Sequence, residues 1–388
     1  MPSPYCERAI ADALQQGRAL LKFISPNDAG LTGSHQCGFY LPLGSWEMFT
    51  PQPPEDGKNH KHFVKILWQD GTVTESAVTW YGQKTRHEYR LTRFGRDFPF
   101  LNEDAVGNLL VLIPESLAQF RAYVLDLEQD VDDLQAALGV EVIDTWGVYE
   151  YGREHIEDEG ECIDRRFREF AAAVEDFPTG DEFSDTTRQA LIECITDFAT
   201  RPGDDRLMKA IEAEYTLFRI VERRLCEPQI QRLFESVDDF LKTAASIMNR
   251  RKSRAGRSFE NHMSQILADA GIPFDVRPAI DGRPDLVIPG AAAYLDSSYP
   301  VERLFIVGLK TTCKDRWRQV LNEGARVPRK HLITLQRGIS SNQMREMAAA
   351  NVSLIVPAGL HRQYPSDRPM ELLGIEAFID EVRRTVAA

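Results

Sequence analysis

The chain has 388 residues, 43% of them hydrophobic and 27% charged, with a formal net charge of −13. That length holds roughly two or three domains, and the composition is that of a globular protein rather than a disordered or fibrous one. The acidic balance argues against a uniformly basic nucleic-acid binder, and no stretch approaches the roughly 18 apolar residues of a membrane helix.

The N-terminus, "MPSPYCERAIADALQQGRALLKF", has no charged segment followed by an apolar core, so no signal peptide is expected. A short opening helix is followed by seven runs of strand formers up to about residue 125: "ALLKFIS", "GFYLPL", "HFVKILW", "TVTESAVTWY", "YRLTRF", "NLLVLI" and "AYVLDL". "QDGT" at 69–72 is a hairpin signal, and so many short strands indicate a barrel or sandwich. "DVDDLQAALG" predicts a helix ending on Gly139. Residues 151–184 read as an acidic connector between a first domain, 1–150, and a second, 185–388.

Helical patterns follow. They include "RLMKAIEAEYTLFRIVERRL", "IQRLFESVDDFLKTAASIMNR" and "SFENHMSQILADAG", the last with Ser258 as N-cap and Gly271 as its stop. From residue 284 strands alternate with helices, which indicates an α/β domain with a mixed central sheet. The six cysteines (Cys6, Cys37, Cys162, Cys194, Cys226 and Cys313) form no CxxC and read as free, mostly buried thiols of a cytoplasmic protein. Charge is uneven: residues 241–388 carry 22 Lys and Arg against 15 Asp and Glu, which leaves the first 240 residues strongly acidic. A basic C-terminal part is compatible with a polyanion site.

Two places in that part carry chemistry. Asp285 precedes one strand, in "GRPDLVIPG", and Lys310 ends another, in "VGLKTTCKDRW". Phosphodiester hydrolysis needs a divalent cation, and Mg²⁺ takes one or two carboxylates with water and phosphate oxygens. A lysine beside it stabilises developing negative charge. The common nuclease pattern puts a second acid two residues before the lysine, but Gly308 stands there. Glu323, thirteen residues beyond Lys310 on the expected helix "KDRWRQVLNEGA", and Glu260 are candidates to replace it. On that helix Lys314, Asp315, Arg316 and Arg318 could hydrogen-bond the edges of G·C pairs, while Trp317 is expected to pack inward. The plain alternative is a capped turn, a surface lysine and a solvated helix face.

These residues resemble the EcoRII family of type II restriction endonucleases. "KSRAGRSFE", "RPDLVIPGAAAYLD", "LKTTCKDRWRQVLNE", "HLITLQRGIS" and "VSLIVPAGLHRQYP" resemble its catalytic domain in order and spacing. "SPNDAGLTGSHQCGFYLP" and "KTRHEYRLTRFGR" resemble its N-terminal effector domain, a DNA-binding pseudobarrel. The resemblance implies a restriction-endonuclease-like α/β fold in which Asp285, Lys310 and Glu323 form the active site, with Mg²⁺ on the two acids and Glu260 as a further member. It also implies that Lys314, Asp315 and Arg316 read C·G pairs. In the effector domain it implies DNA contacts from His35, Tyr40, Lys84, Arg86, Glu88 and Arg90. Tyr89 departs from the family pattern, which tends to be basic there.

The expected protein is therefore a Mg²⁺-dependent endonuclease that cuts double-stranded DNA at a CC-W-GG-like palindrome. It would bind a second copy of the site through its N-terminal domain. A palindromic target implies a homodimer, with 185–250 as its interface, and a restriction enzyme implies a partner methyltransferase. The alternatives are a DNA-binding regulator that has lost catalysis, which Gly308 favours, and a strand-nicking repair nuclease.

Overall fold

The computed structural model describes residues 2–31, 37–52, 55, 57–82, 87–142, 145–152, 160–314, 316–366 and 368–387. The chain forms two compact units: 1–154 with 336–346 and 362–370, and 155–335 with 347–361 and 371–388.

The first unit opens with α1 (Pro4–Gln16), capped by the Ser3 side chain and closed by Gly17 in the left-handed region. The seven expected strands are β1 (Arg18–Phe23), β2 (Phe39–Pro42), β3 (His60–Trp68), β4 (Val73–Tyr81), β5 (Glu88–Thr92), β6 (Leu109–Ser116) and β7 (Gln119–Leu125). After α2 (Glu128–Leu138), which does end on Gly139, an unforeseen β8 (Trp146–Glu150) pairs antiparallel with β1. The eight strands form one sheet in the order β2-β5-β4-β3-β7-β6-β1-β8, antiparallel except between β3 and β7. The 69–72 turn closes the β3–β4 hairpin: Gly71 has φ +87°, and the Trp68 N–H donates to Thr72 O at 2.9 Å. One face of the sheet buries an aromatic core of Phe39, Trp68, Trp80, Tyr89 and Phe120; the other packs under α1 and α2.

Residues 336–346 and 362–370 fall outside the expected domain boundary. Their backbone lies against that of Gly107, where a Cβ would stand 2.3 Å from Gly338 O. Gln336 Nε2 donates to Gly107 O, and Tyr364 Oη to Gln336 O.

The second unit begins inside the expected connector. Residues 161–173 form a helix, α3 (Glu161–Ala173), whose Ile163, Phe167 and Ala171 are buried. It packs with α4 (Gly180–Cys194), which opens on a capping box at Thr179 and Glu182. Cys162 on α3 and Cys194 on α4 are joined by a disulfide, which corrects the expectation of free thiols; Cys6, Cys226 and Cys313 are free and buried, and Cys37 is free and exposed. Packing of α3 on α4 brings the two Cα atoms to 5.8 Å, within bridging range, although 32 residues separate them along the chain.

Two long helices follow, α5 (Gly203–Gln231) and α6 (Val237–Asp269). α6 is continuous where two helices are expected. Its cap is Ser236, and Ser258 lies buried in its interior. "RRKSRAGRS" contains no proline, and a single glycine costs a helix only about 1 kcal/mol.

The mixed sheet of this unit comprises β9 (Asp275–Val276), β10 (Leu286–Ile288), β11 (Phe305–Lys310), β12 (Lys330–Thr334), β13 (Val352–Ile355) and β14 (Leu372–Leu373), side by side in that sequence. β9, β10 and β11 pair antiparallel, and β11 to β14 pair parallel. The short α7 (Ala291–Leu295) follows β10, α8 (Ser341–Ala349) links β12 to β13, and α9 (Ile375–Ala387) ends the chain. One face of the sheet buries Leu286, Val307 and Ile333 against Phe259 and Met263 of α6 and Phe378 of α9. Among the described residues no helix is long and apolar enough to cross a membrane.

Candidate active site

Asp285 is the residue before β10, and β10 runs antiparallel to β11 with Leu286 opposite Val307. That register brings Asp285 to the far end of β11, where Lys310 stands. Asp285 Oδ2 accepts the Leu309 N–H at 2.7 Å and the Lys310 ammonium at 2.8 Å. The acid is thus oriented by backbone as well as by charge, and both side chains keep some exposure, 15% for Asp285 and 18% for Lys310.

Gly308 stands at the usual position of the second acid, and its surroundings leave no room for a carboxylate. A Cβ there would stand 3.1 Å from Val320 Cγ2 and 3.7 Å from Leu332 Cδ1. A carboxylate at 308 would be pressed into an apolar floor.

Glu323, the candidate to replace that acid, stands outside the strand. It does not lie on a helix as expected: residues 317–322 form a 3₁₀ turn, and Glu323 caps its C-terminus in extended conformation, φ −94° and ψ 133°. The helix stops because the next N–H groups bond elsewhere. Gly324 donates to Asp281 O at 2.9 Å and Ala325 to Asp281 Oδ2 at 2.5 Å. The Glu323 side chain is buried, and its Oε2 has no hydrogen-bond partner. Burial pushes its carboxyl up to about 7; the Lys310 ammonium opposes the rise, the Asp285 charge adds to it, and Lys330 opposes it. Asp285, Lys310 and Glu323 therefore share one electrostatic environment.

Three residues around Glu323 give no sequence signal of their own. Lys330, at the start of β12, is 4% exposed and donates from Nζ to Gly324 O at 2.7 Å and to Val327 O. Tyr294 Oη donates to Asp281 Oδ1 at 2.5 Å. Asp281 itself stands four residues before Asp285 and reads in sequence as an ordinary turn acid.

Glu260, on α6, is held by Arg277, whose Nη2 lies 2.5 Å from both carboxylate oxygens. Arg277 N–H in turn donates to Asp285 O at 2.9 Å, so Glu260 joins the site through an arginine rather than as a third carboxylate beside the first two. Trp317 is buried as expected, with the Arg318 guanidinium 4.6 Å from its ring centre. Lys314 and Arg316 flank that turn; Asp315 lies outside the described residues.

In the first unit, Tyr40 and Arg90 are in register on adjacent strands. Arg90 Nη1 donates to Tyr40 Oη at 2.8 Å, and its guanidinium lies 4.1 Å from the centre of the tyrosine ring. The Tyr40 N–H donates to Asp28 Oδ1 at 2.7 Å, and Asp28, fully buried, is paired with Lys22. Glu88 stands opposite Pro42 and Tyr81 at the start of β5. Tyr89 points into the core, 1% exposed against Trp80 and Phe49, so it offers nothing to a ligand. His35, Lys84 and Arg86 lie outside the described residues.

Among the described residues no group of three or more His, Cys, Asp or Glu converges on one point. The donor set is two carboxylates, one of them buried with an oxygen that has no partner. Such a set fits a hard divalent cation that completes its shell with water and phosphate oxygens.

Comparison with known proteins agrees with both halves. Residues 14–150 match the family described as restriction endonuclease EcoRII, N-terminal, and residues 218–379 match EcoRII C terminal. The type II restriction enzyme EcoRII of Escherichia coli is 33% identical, over 93% of this chain and 93% of its own length. The type II restriction enzyme SsoII of Shigella sonnei is 31% identical over 125 residues, 29% of this chain and 40% of its own. Among solved structures, metal-depleted Ecl18kI in complex with uncleaved, modified DNA has a TM-score of 0.46 at 20% identity, covering 57% of this chain and 84% of its own.

Proposed function

The chain belongs to the EcoRII family of type II restriction enzymes, and we propose that Asp285, Lys310 and Glu323 form the centre with which it hydrolyses DNA. It is a site-specific deoxyribonuclease. The observation that carries the assignment of its centre is the paired Asp285 and Lys310 beside a buried Glu323 whose Oε2 has no partner.

Asp285 and Glu323 are the ligands of a divalent cation, and Mg²⁺ suits their oxygens. When bound, the ion supplies Lewis-acid polarisation of the phosphate and a lower pKa for the attacking water. The protein groups do the rest. Leu309 N–H and the Lys310 ammonium fix the rotamer of Asp285. The ammonium, held at the strand end, stabilises the charge that grows on the scissile phosphate. Glu260 orients Arg277, which is bonded through its backbone to Asp285.

Lys314, Asp315, Arg316 and Arg318, just beyond β11, read G·C base edges in the major groove. The family resemblance supports a CC-W-GG-like target. A palindrome needs two-fold symmetry, so the enzyme acts as a homodimer through the helices of 185–250. The first unit binds a second copy of the site as effector, with Tyr40, Arg90 and Glu88 on its sheet; the family resemblance supports His35, Lys84 and Arg86 as further DNA contacts. The enzyme works in the cytoplasm alongside a methyltransferase that protects host DNA.

Incubation of plasmid DNA with wild type and Asp285→Asn in Mg²⁺, with the cut ends mapped, tests this reading. Double-strand breaks at one short sequence, lost in the variant, support it; equal cutting by both ends it. Plasmids with one and two copies of the mapped site test the effector role, which requires faster cutting of the two-site plasmid.

A further inference from the structure

We infer that Asp281, Tyr294 and Lys330 form a clamp that positions Glu323 toward the divalent cation, and that they contribute to cleavage through that positioning. The inference rests on the reading of Asp285 and Glu323 as metal ligands.

The problem the clamp solves is set by Gly308. The second acid has left the sheet, so no ladder fixes its direction. Its own N–H is bonded only to Val320 O, at 3.2 Å, at the end of a 3₁₀ turn. A turn end of this kind frays unless its polar groups find partners. Here the polar groups that follow Glu323 are taken up in order. Gly324 N–H goes to Asp281 O, Ala325 N–H to Asp281 Oδ2, and Arg326 N–H to Tyr294 Oη. The carbonyls of Gly324 and Val327 both accept from Lys330 Nζ. Tyr294 closes the circuit by donating to the free side of the Asp281 carboxylate.

Two features set this apart from an ordinary solvated turn. Lys330 and Tyr294 are buried, 4% and 6% exposed, and a buried ammonium is expensive unless its hydrogen bonds are satisfied. Lys330 is also paired in register with Ile306 of β11, the strand that ends in Lys310, so the clamp is anchored in the sheet that carries the lysine.

The clamp also ties the two acids to each other. Asp281 and Asp285 belong to one loop. At Gly282 that loop presses directly on the Glu323 backbone: with φ +72°, a Cβ would stand 2.3 Å from Asn322 O and 2.5 Å from Glu323 Cα. Loop 281–285 and turn 322–327 are therefore in direct contact, and the spacing between the acids is set by contacts away from the ion. Groups that orient metal ligands in this way typically alter metal affinity when removed.

The test uses the full chain with Asp281→Ala, Asp281→Asn and Tyr294→Phe, and Glu323→Gln as reference. Four quantities are measured: Mn²⁺ binding by water-proton relaxation, the Mg²⁺ concentration for half-maximal plasmid cleavage, duplex binding without divalent ions, and the thermal midpoint. Asp281→Ala is expected to weaken Mn²⁺ binding and to raise the half-saturating Mg²⁺ by about tenfold or more. Metal-free DNA binding should stay within about twofold, because the change acts on ligand geometry rather than on the DNA surface. Asp281→Asn, which keeps an acceptor for Ala325, should recover part of the loss. If Asp281→Ala does not fold, Tyr294→Phe removes a single hydroxyl and should shift both metal readings in the same direction by about threefold. Unchanged metal readings in a folded Asp281→Ala or Tyr294→Phe overturn the inference. So does a parallel loss of metal-free DNA binding, which marks a general structural role. If Glu323→Gln leaves Mn²⁺ binding intact, the metal-ligand reading itself fails; if it weakens binding while the clamp variants do not, only the clamp fails.

Discussion

Tyr40 and Arg90 in the first unit, and Asp285, Lys310 and Glu323 in the second, are assembled by different means. Tyr40 and Arg90 face each other across one rung of a ladder, so strand pairing alone sets their separation. Asp285 and Lys310 are likewise set by a strand pair, but Glu323 reaches them from a turn held by side chains. A ladder keeps its geometry when one side chain is changed, because the backbone bonds that define it remain. A turn held by three side chains does not. The proposed effector site should therefore lose function gradually on mutation, and the proposed sheet-edge site steeply.

The largest effect tests that contrast at its centre. Asp285→Asn should lower the cleavage rate by about 10³-fold or more while preserving DNA binding, measured in single-turnover digests and by gel shift. A loss of less than tenfold would show that the acid is not a metal ligand.

Next is the buried acid. The folded Glu323 carboxyl, pushed up to about 7 by burial, lies above its ordinary value of 4.5. A raised folded pKa stabilises the protein at low pH, and that contribution is lost as pH rises through about 7. In metal-free buffer Glu323→Gln should therefore match wild type at acid pH and exceed it in stability by up to about 3 kcal/mol at mildly alkaline pH. Denaturant melts at the two pH values check this, and a variant less stable than wild type at the higher pH would contradict it. The same substitution should abolish cutting, an inverse relation expected of a strained functional group.

Lys310→Met should cost about 10²-fold in cleavage rate. Its half-saturating Mg²⁺ should change little, since the Leu309 N–H still holds Asp285 Oδ2 when the ammonium is gone. Equal losses in rate and metal affinity would mean that Lys310 serves mainly to orient Asp285.

The smallest effect belongs to the ladder. Tyr40→Phe removes the acceptor of the Arg90 bond and should weaken effector-duplex binding by about 1 kcal/mol, leaving the chemical step untouched. Stimulation of a one-site plasmid by added duplex reads this out. A collapse of cleavage without effector would show that the barrel site is as fragile as the sheet-edge one.

Seven of the strands in the first unit are legible in the sequence because each is a run of strand formers bounded by turn residues, and β3 also alternates between buried and exposed positions. β8 escapes because "WGVYE" is short and its pattern is defined only by pairing with β1. The join of two expected helices into α6 escapes for a related reason: a glycine permits a break but does not require one. The disulfide gives no spacing signal, since the packing of α3 on α4 brings its cysteines together.

By itself the sequence determined the chemical inventory: an acid before one strand, a lysine at the end of the next, a glycine where the second acid usually stands, and basic residues just beyond. It also determined the two-part plan and the family, because long ordered matches such as "KTTCKDRWRQ" survive without coordinates. Only the tertiary structure decided where the candidate second acid stands. Glu323 ends a 3₁₀ turn that three side chains from separate segments hold in place, and its raised pKa comes from burial that no local pattern reports. Strand periodicity is written into neighbouring residues, whereas a carboxylate aimed from a turn depends on groups remote along the chain.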